Sequence, residues 1–572
     1  MGRQFLPVDR DAPALLPVNM LDWVPEGHVV RLVIDTVEAV ATPGLTARLV
    51  PATAKRSVRG RRRYDPVMLL TLLMYSYMRG VLTVRAIEDR CRYDVTFRVA
   101  CGKLVPSYSI ISRFRKLAFA QGGLMEDLFY QVLFTCAQAG LGRLTVVACD
   151  GVKIAANASK EANRTEAGLQ KLAAQILADA AAAEKTEESG APAPAGTDLL
   201  GGEALPAGWL DSRSRAERVR ACLEELRRER EAAEAAARAA GQAYLDALEA
   251  GTAAGRPPAA VAVAAQQIRV EKAVAAQQAL IGDWEARRAA GAGTRTGRRP
   301  VAPDDAGTVR AARARLEELQ AAAVAEAEAA GDGDEDAAGK PRQPVRNVTD
   351  PDSRLMPVRG GGFIQGYNCQ DAAADDRLML GGYACQDTGD ARQAQEIDRI
   401  AVKGAAAVAA GHAAHAADPA MLRKCHDRLC TGTDKDSPGH DIAACHAAMT
   451  GGIGTIVKDA GYYSEENISA PGPDRITATG KTRNMRTQAR DNPAEGPPPE
   501  DATPAEINSH RLRTPEGHAI YKRRAPDVEG MHASIKDRTG LRRFRLRGLT
   551  SATSEFLFAG IAHNLLLLAA VS

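Results

Sequence analysis

Aromatic residues are scarce in this chain. Across 572 residues there are 10 Phe, 12 Tyr and 3 Trp, about 4% in all, so a dense core cannot fill the whole length. Charge of one sign is also lacking: the net charge is +3, which excludes a uniformly basic or acidic protein. No apolar run is long enough to span a bilayer. The apolar tail from Phe556 to Ser572 is interrupted by His563 and Asn564 and falls short of the roughly 20 residues a span needs, so it reads as a core-packing helix. The opening MGRQFLPVDRD has no apolar segment of the secretory kind. The ten cysteines show no paired short spacing near the termini, which suits free, mostly buried thiols in a reducing cytoplasm. No GxxxxGK[ST] phosphate loop occurs, so chemistry driven by ATP is not implied. GGGFIQG at 360–366 precedes a strand instead of following one, and reads as a turn.

What is present is unevenly distributed. Between Arg511 and Arg547 the local balance is +7, a cluster that attracts a polyanion, nucleic acid above all. Residues 1–140 read as helical. Asp65-Pro66 is a strong helix start ahead of VMLLTLLMYSYMR, and Gly80 stops it. Thr83 can cap a second helix, VRAIEDRCR, and a third begins near Ser107 or Ser109 in PSYSIISRFRK. Three short helices ending in one rich in Ser and Arg resemble a helix-turn-helix reader, with Arg113, Arg115 and Lys116 suited to phosphate and base-edge contacts. A helical bundle with a basic outer face is the bland alternative.

The hydrophobic period then changes. LTVVAC (144–149) is a short β-type run ending in Asp150. From 164 to 346 the chain is rich in Ala, Arg and Glu, with a narrow apolar stripe through Leu223 and Leu226, and reads as helical hairpins or a coiled-coil arm without a catalytic role. β-type sequence returns as a hairpin: FIQGYNCQDAAA, the turn Asp375-Asp376-Arg377, then LMLGGYACQD. A helical stretch from Ala391, the strand GTIVK ending at Asp459, and a further strand RITATG follow; 490–505 is a Pro/Glu-rich loop.

Strand, hairpin, helix, strand, then a later strand and helix is the order of a ribonuclease-H-like α/β domain. In that fold a carboxylate on the first strand meets one at the end of the fourth, and a later helix adds a third: here Asp150, Asp459 and Glu529. The expected organisation is a helical DNA-binding domain (1–140), the first core strand (141–163), a helical insertion between the first and second core strands (164–346), and the remaining core with carboxy-terminal helices (347–572). Three crowded carboxylates raise one another's pKa unless a cation is present. Mg²⁺, with Mn²⁺ as a substitute, prefers such oxygens, and a pair of ions serves both ends of an in-line phosphoryl displacement. Asp387 and Asp390 are rivals for the second carboxylate, but they follow the third strand. Asp352 lies in the approach to the second strand, and Asp527 breaks the seven-residue spacing to Lys536. Cys425, Cys430, His440 and Cys445 could form a zinc site of three thiolates and an imidazole, but their loose spacing favours scattered buried thiols.

Several blocks resemble bacterial insertion-sequence transposases of the Asp-Asp-Glu type: MLDWVPEGHVVR and RRRYDPVMLLTLLMYSYMRG near the start, CDGVKIAANASK (149–160), VKDAGYYSEENI (457–468), and 521–565 with its Tyr-Arg-Glu-Lys signature. Tyr521, Arg524, Glu529 and Lys536 take the four places, with Arg524 and Lys536 implied to grip phosphates. Four residues separate Arg524 from Glu529, where the commonest form has three. Glu529 and Lys536, seven apart, are expected on one helical face. The resemblance implies a bacterial, cytoplasmic and nucleoid-associated enzyme, with no membrane association. It would cut its element's inverted-repeat ends and join them to target DNA, as a homodimer or larger synaptic assembly. The alternative is a catalytically inactive DNA-binding protein derived from a transposase.

Overall fold

Capping residues and glycines set the boundaries of the first helices. In the computed structural model, which describes residues 19–50, 63–188, 212–253, 255–291, 298–329, 344–358, 360–414, 418–432, 435, 437, 439–480 and 482–571, the leader folds as α1 (Val29–Val40), α2 (Pro43–Leu49), α3 (Pro66–Met78), α4 (Val84–Tyr93), α5 (Val95–Ala100), α6 (Tyr108–Phe119) and α7 (Leu124–Gln138). Asp65 accepts from the amides of Val67 and Met68 at the start of α3, with Pro66 at its first position. Gly80, at φ +67°, ends it. Every residue of α3 from Leu69 to Met78 is buried, so it is a core helix. Thr83 precedes α4, but its side chain makes no cap bond.

Two compact units follow from the internal contacts. One comprises residues 1–161 and 352–572, the other 162–351. In the second, β2 (Asn163–Thr165) leads into α8 (Glu166–Glu188), α9 (Ser212–Glu249), α10 (Ala259–Ala289) and α11 (Gly307–Ala329), and β3 (Val345–Asn347) pairs back antiparallel on β2. Its buried clusters are small: Leu169, Val219, Cys222 and Leu226 in one, Leu245, Ala265 and Ile268 in another. Gly241 lets α9 approach α10 closely, since a Cβ there would lie 2.7 Å from the amide of Ala265. In its described residues the Ala/Arg/Glu-rich stretch is thus mostly helical.

The first unit is mixed α/β, mostly helical, around one curled sheet. Its strands are β1 (Val146–Ala155), β4 (Arg354–Pro357), β5 (Phe363–Ala374), β6 (Met379–Cys385), β7 (Thr455–Lys458) and β8 (Arg475–Thr477). The order is β6–β5–β1–β7–β8, with β4 alongside β5. β1, β5 and β6 are antiparallel neighbours; β7 runs parallel to β1, and β8 to β7. β1 runs further than LTVVAC suggests. Its first half is buried between β5 and β7, and its second half, paired with β5, alternates buried and half-exposed residues through Val152 and Ile154. The helices after the hairpin are α12 (Ala394–Ala413), α13 (Pro419–Leu429), α14 (Ile442–Thr450), α15 (Glu465–Ser469), α16 (Thr482–Asp491), α17 (Pro504–Arg513), α18 (Pro515–Lys522), α19 (Arg524–Ala533) and α20 (Leu549–Ala569).

The leader helices and the sheet share one continuous core. The reason is α20, which packs against β6, α7 and α3. It is the one described helix long and apolar enough to cross a membrane, but 78% of its apolar window is buried within the protein. The polar residues that interrupt its apolar run are all bonded. Asn564 exchanges hydrogen bonds with the backbone of Met379 (2.9 Å each), and His563 bonds Ser534 Oγ and the carbonyl of Arg377 (2.9 Å each). Glu555 accepts from the Tyr77 hydroxyl at 2.8 Å and from the amides of Arg545 and Leu546.

Candidate active site

Strand register brings the first two acids together. β1 and β7 are parallel neighbours with Cys149 opposite Lys458, so Asp150 and Asp459 are the next positions along each chain. Asp459 leaves the strand and caps a short 3₁₀ turn, accepting from the Gly461 amide at 2.8 Å. The strand end beneath it is held by charge: Lys458, fully buried, donates to the Ala394 carbonyl at 2.8 Å and lies 2.6 Å from Asp398, which Arg475 grips at 2.8 Å.

On its other side Asp150 pairs in register with Asp371 of β5, so both carboxylates rise from one face of the sheet. α19 packs across β1 and β5 on that face. From it, Arg524 Nη1 reaches Asp150 Oδ2 at 2.8 Å, and His532 Nε2 reaches Asp371 Oδ2 at 2.8 Å. A fourth acid, Asp390, is held by Asn368 Nδ2 (2.8 Å) and Gln370 Nε2 (2.6 Å), while the Tyr462 hydroxyl donates to Gln370 Oε1. Two glycines make room for Asp390. A Cβ on Gly151 would stand 2.5 Å from Asp390 Oδ1, and one on Gly461 would stand 3.0 Å from Asp459 Oδ1 and 3.1 Å from Asp390 Oδ2.

The electrostatics follow from this crowding. Burial pushes Asp150 up, against the pull of Arg524 and His532. Burial and then the charge of Asp150 push Asp459 up, with Arg524 opposing. Asp371 is raised by burial. Burial alone would lower His532, but the facing Asp371 overrides it and raises the imidazole. The site therefore holds excess negative charge that invites a cation.

The remaining expected residues fall in different places. Glu529 lies on α19, three residues before His532, but it faces solvent, and among the described residues its carboxylate has no hydrogen-bond or ion-pair partner. α19 continues as a π-turn over Ser534–Arg538, which shifts the helical phase, so Glu529 and Lys536 do not keep a strict seven-residue α spacing. Lys536 is half-buried near Cys369 and Asp371, and burial lowers its pKa. Tyr521 is buried and hydrogen-bonds Arg524, which is itself engaged by Asp150; neither is presented outward. On α6, Arg113 and Lys116 are exposed, but Arg115 is a core cation: 6% exposed, it donates to the Leu82 carbonyl at 2.8 Å and offsets the charge of buried Glu555. Asp352 accepts from the Leu549 amide and caps α20, and Asp527 is turned toward Arg523 and Arg377. Asp371 and His532 escaped the sequence reading. Asp371 sits in mid-strand in FIQGYNCQDAAA, and only the β1–β5 register reveals its position.

This sheet, with Asp150, Asp371 and Asp459 gathered beside α19, can be set beside known families. Residues 18–117 match a family model described as "Transposase domain (DUF772)", and 498–569 match one described as "Transposase DDE domain". Both matches are to transposase families, and together they support an insertion-sequence transposase of the Asp-Asp-Glu class. The second match contains Glu529; Asp150 and Asp459 lie outside both. No curated protein and no solved structure matches.

Proposed function

We propose that the protein is a DNA transposase that cuts the ends of its element and joins them to target DNA, with Asp150, Asp459 and Glu529 as its metal-holding acids. One observation carries the reading: Asp150 on β1 and Asp459 just past the end of parallel β7 stand side by side, and the helix that bears Glu529 packs on β1. The strand order β6–β5–β1–β7–β8, with three antiparallel strands and then two parallel ones, supports a ribonuclease-H-like core.

Asp150 and Asp459, carboxylates raised by burial, suit a hard divalent cation; Glu529, which faces solvent in this structure, would complete the set by turning inward. Bound there by Asp150, Asp459 and Glu529, Mg²⁺ or Mn²⁺ in a two-ion arrangement would neutralise the attacking and leaving oxygens of an in-line displacement. The protein's own groups position the acids and the phosphate. Arg524 supplies the resident positive charge beside Asp150 and would be released to partner a scissile phosphate when a cation engages Asp150. His532 fixes Asp371 behind Asp150, and Asn368 and Gln370 hold Asp390. A crevice of about 40 Å³ beside Arg524, lined by Arg486, His518 and Lys522, continues the basic surface along which a DNA backbone would run.

In the first step the oxygen of water bonds to phosphorus and the P–O3′ bond breaks, releasing a 3′-hydroxyl. In the second that hydroxyl attacks a target phosphate, and one P–O bond is exchanged for another. Two ends must be held together, which calls for a dimer or larger assembly on DNA. The test is cleavage and strand transfer on end-bearing DNA with Mg²⁺ or Mn²⁺. Asp150→Asn, Asp459→Asn and Glu529→Gln are each expected to lower the rate at least about 10³-fold while leaving DNA binding intact, about 4 kcal/mol of barrier. Wild-type rates in all three would sink the assignment.

A further inference from the structure

Away from the carboxylates, α13 and α14 bring four soft donors to one point. His426 and Cys430 lie one turn apart at the end of α13; His440 precedes α14 and Cys445 lies within it. Their ligand atoms all fall within 4.8 Å of one another. The sequence reading grouped Cys425 with Cys430, His440 and Cys445. The structure exchanges Cys425 for its neighbour His426, because on α13 position 426, not 425, shares a face with 430.

The spacings are those of an ion's first shell. The two Sγ atoms are 3.7 Å apart and the two Nε2 atoms 3.1 Å apart. A disulfide needs about 2.05 Å between sulfurs. A tetrahedral zinc with Zn–S about 2.3 Å and Zn–N about 2.0 Å sets its sulfurs about 3.8 Å apart and its nitrogens about 3.3 Å apart. His426 is fully buried and Cys430 nearly so, as a closed structural site requires. Among the described residues the hairpin has little apolar core of its own. Its own apolar cluster is Leu429, Cys430 and Met449 with Cys445 against them, a core too small to hold a helical hairpin unaided.

We propose that His426, Cys430, His440 and Cys445 bind one structural Zn²⁺. Two thiolates balance the ion's charge, and two imidazoles complete a tetrahedral set that leaves no open position for catalysis. The ion clasps α13 to α14, and α14 leads directly into β7, whose end carries Asp459. The hairpin is moored to the base of β1: Leu144 N donates to the Met449 carbonyl at 2.7 Å, and Arg143 Nη1 donates to the Leu429 carbonyl at 3.2 Å. The adjacent trio His412, Cys425 and His446 supplies three donors, short of a closed set, and His412 Nε2 already bonds the Leu141 carbonyl at 2.9 Å.

The experiment is metal analysis of the purified full-length protein after dialysis against a weak chelator. About one zinc per chain is expected. Cys430→Ser with Cys445→Ser should bring it to background, while Cys425→Ser and Asp150→Asn with Asp459→Asn should leave it unchanged. His426→Cys, which keeps four donors, should retain it. Replacement by Co²⁺ in the wild type should give the intense visible absorption of a tetrahedral thiolate site, a readout that needs no variant to fold. Wild-type protein that neither contains nor takes up zinc overturns the proposal. So does a Cys430–Cys445 disulfide, zinc that survives the double serine variant, or zinc lost with Cys425→Ser.

Discussion

Arg113, Arg115 and Lys116 are near neighbours on one helix, yet burial divides their roles. Arg113→Ala and Lys116→Ala are expected to weaken DNA binding, each lowering the slope of log K against log salt by up to about 0.9 with no change in thermal stability. Arg115→Ala should instead leave Glu555 buried and uncompensated, costing about 3–5 kcal/mol of stability. Paired salt titrations and thermal melts separate the two outcomes; a stable Arg115→Ala protein with weakened DNA binding would reverse the assignment. His563 makes a pH prediction. Full burial lowers its pKa from 6.5 to about 4, so the folded state holds the ring neutral while the unfolded chain protonates near 6.5. Its contribution is present above pH 6.5 and is lost as pH falls toward 4. Denaturant unfolding between pH 7.5 and 4.5 should show that loss, and His563→Gln should flatten it.

Among the elements, those legible in the sequence were those whose signals are local. Asp65-Pro66 and Gly80 bound α3, and the hairpin turns at Asp375-Asp376-Arg377, with Arg377 at φ +69°. The lengths of β1 and of the α19 π-turn were not legible, since both depend on neighbours distant in sequence. Asp150 and Asp459 each follow a short apolar run, LTVVAC and GTIVK, which is a local pattern. Asp371 could not be picked out, because its place opposite Asp150 is a matter of register between segments separated by the whole helical insertion. His532 and the exchange of His426 for Cys425 needed a helical phase fixed by packing. Register also explains Gly151. Gly151→Ala would drive a methyl against Asp390 and Gln370, an overpacking cost of about 1–3 kcal/mol, and should sharply reduce DNA cleavage. Gly44→Ala, with open space around it, is the control. Equal melting temperatures and activities for both variants and wild type would show that the crowding at Gly151 is unimportant.

For the whole molecule, the chain enters and leaves the second unit through paired strands, Asn163 opposite Asn347, with Val348 N bonded to the Ala162 carbonyl at 3.1 Å. Replacing 162–351 with a short turn should therefore preserve the cooperative unfolding of the first unit, checked by circular dichroism and calorimetry. Loss of that transition would show the arm to be needed for folding. The position of α20 in the core bears on timing. It is the strut between the leader helices and the sheet, yet it lies roughly 400 residues after Asp150 in the chain. At about 5–20 residues per second, a ribosome takes some 20–80 s to make that stretch. Throughout that interval the nascent chain has its first aspartate but no framework to set it beside the others. Under the proposed function, any message cut short before α20 is expected to yield a polypeptide unable to nick the genome that encodes it.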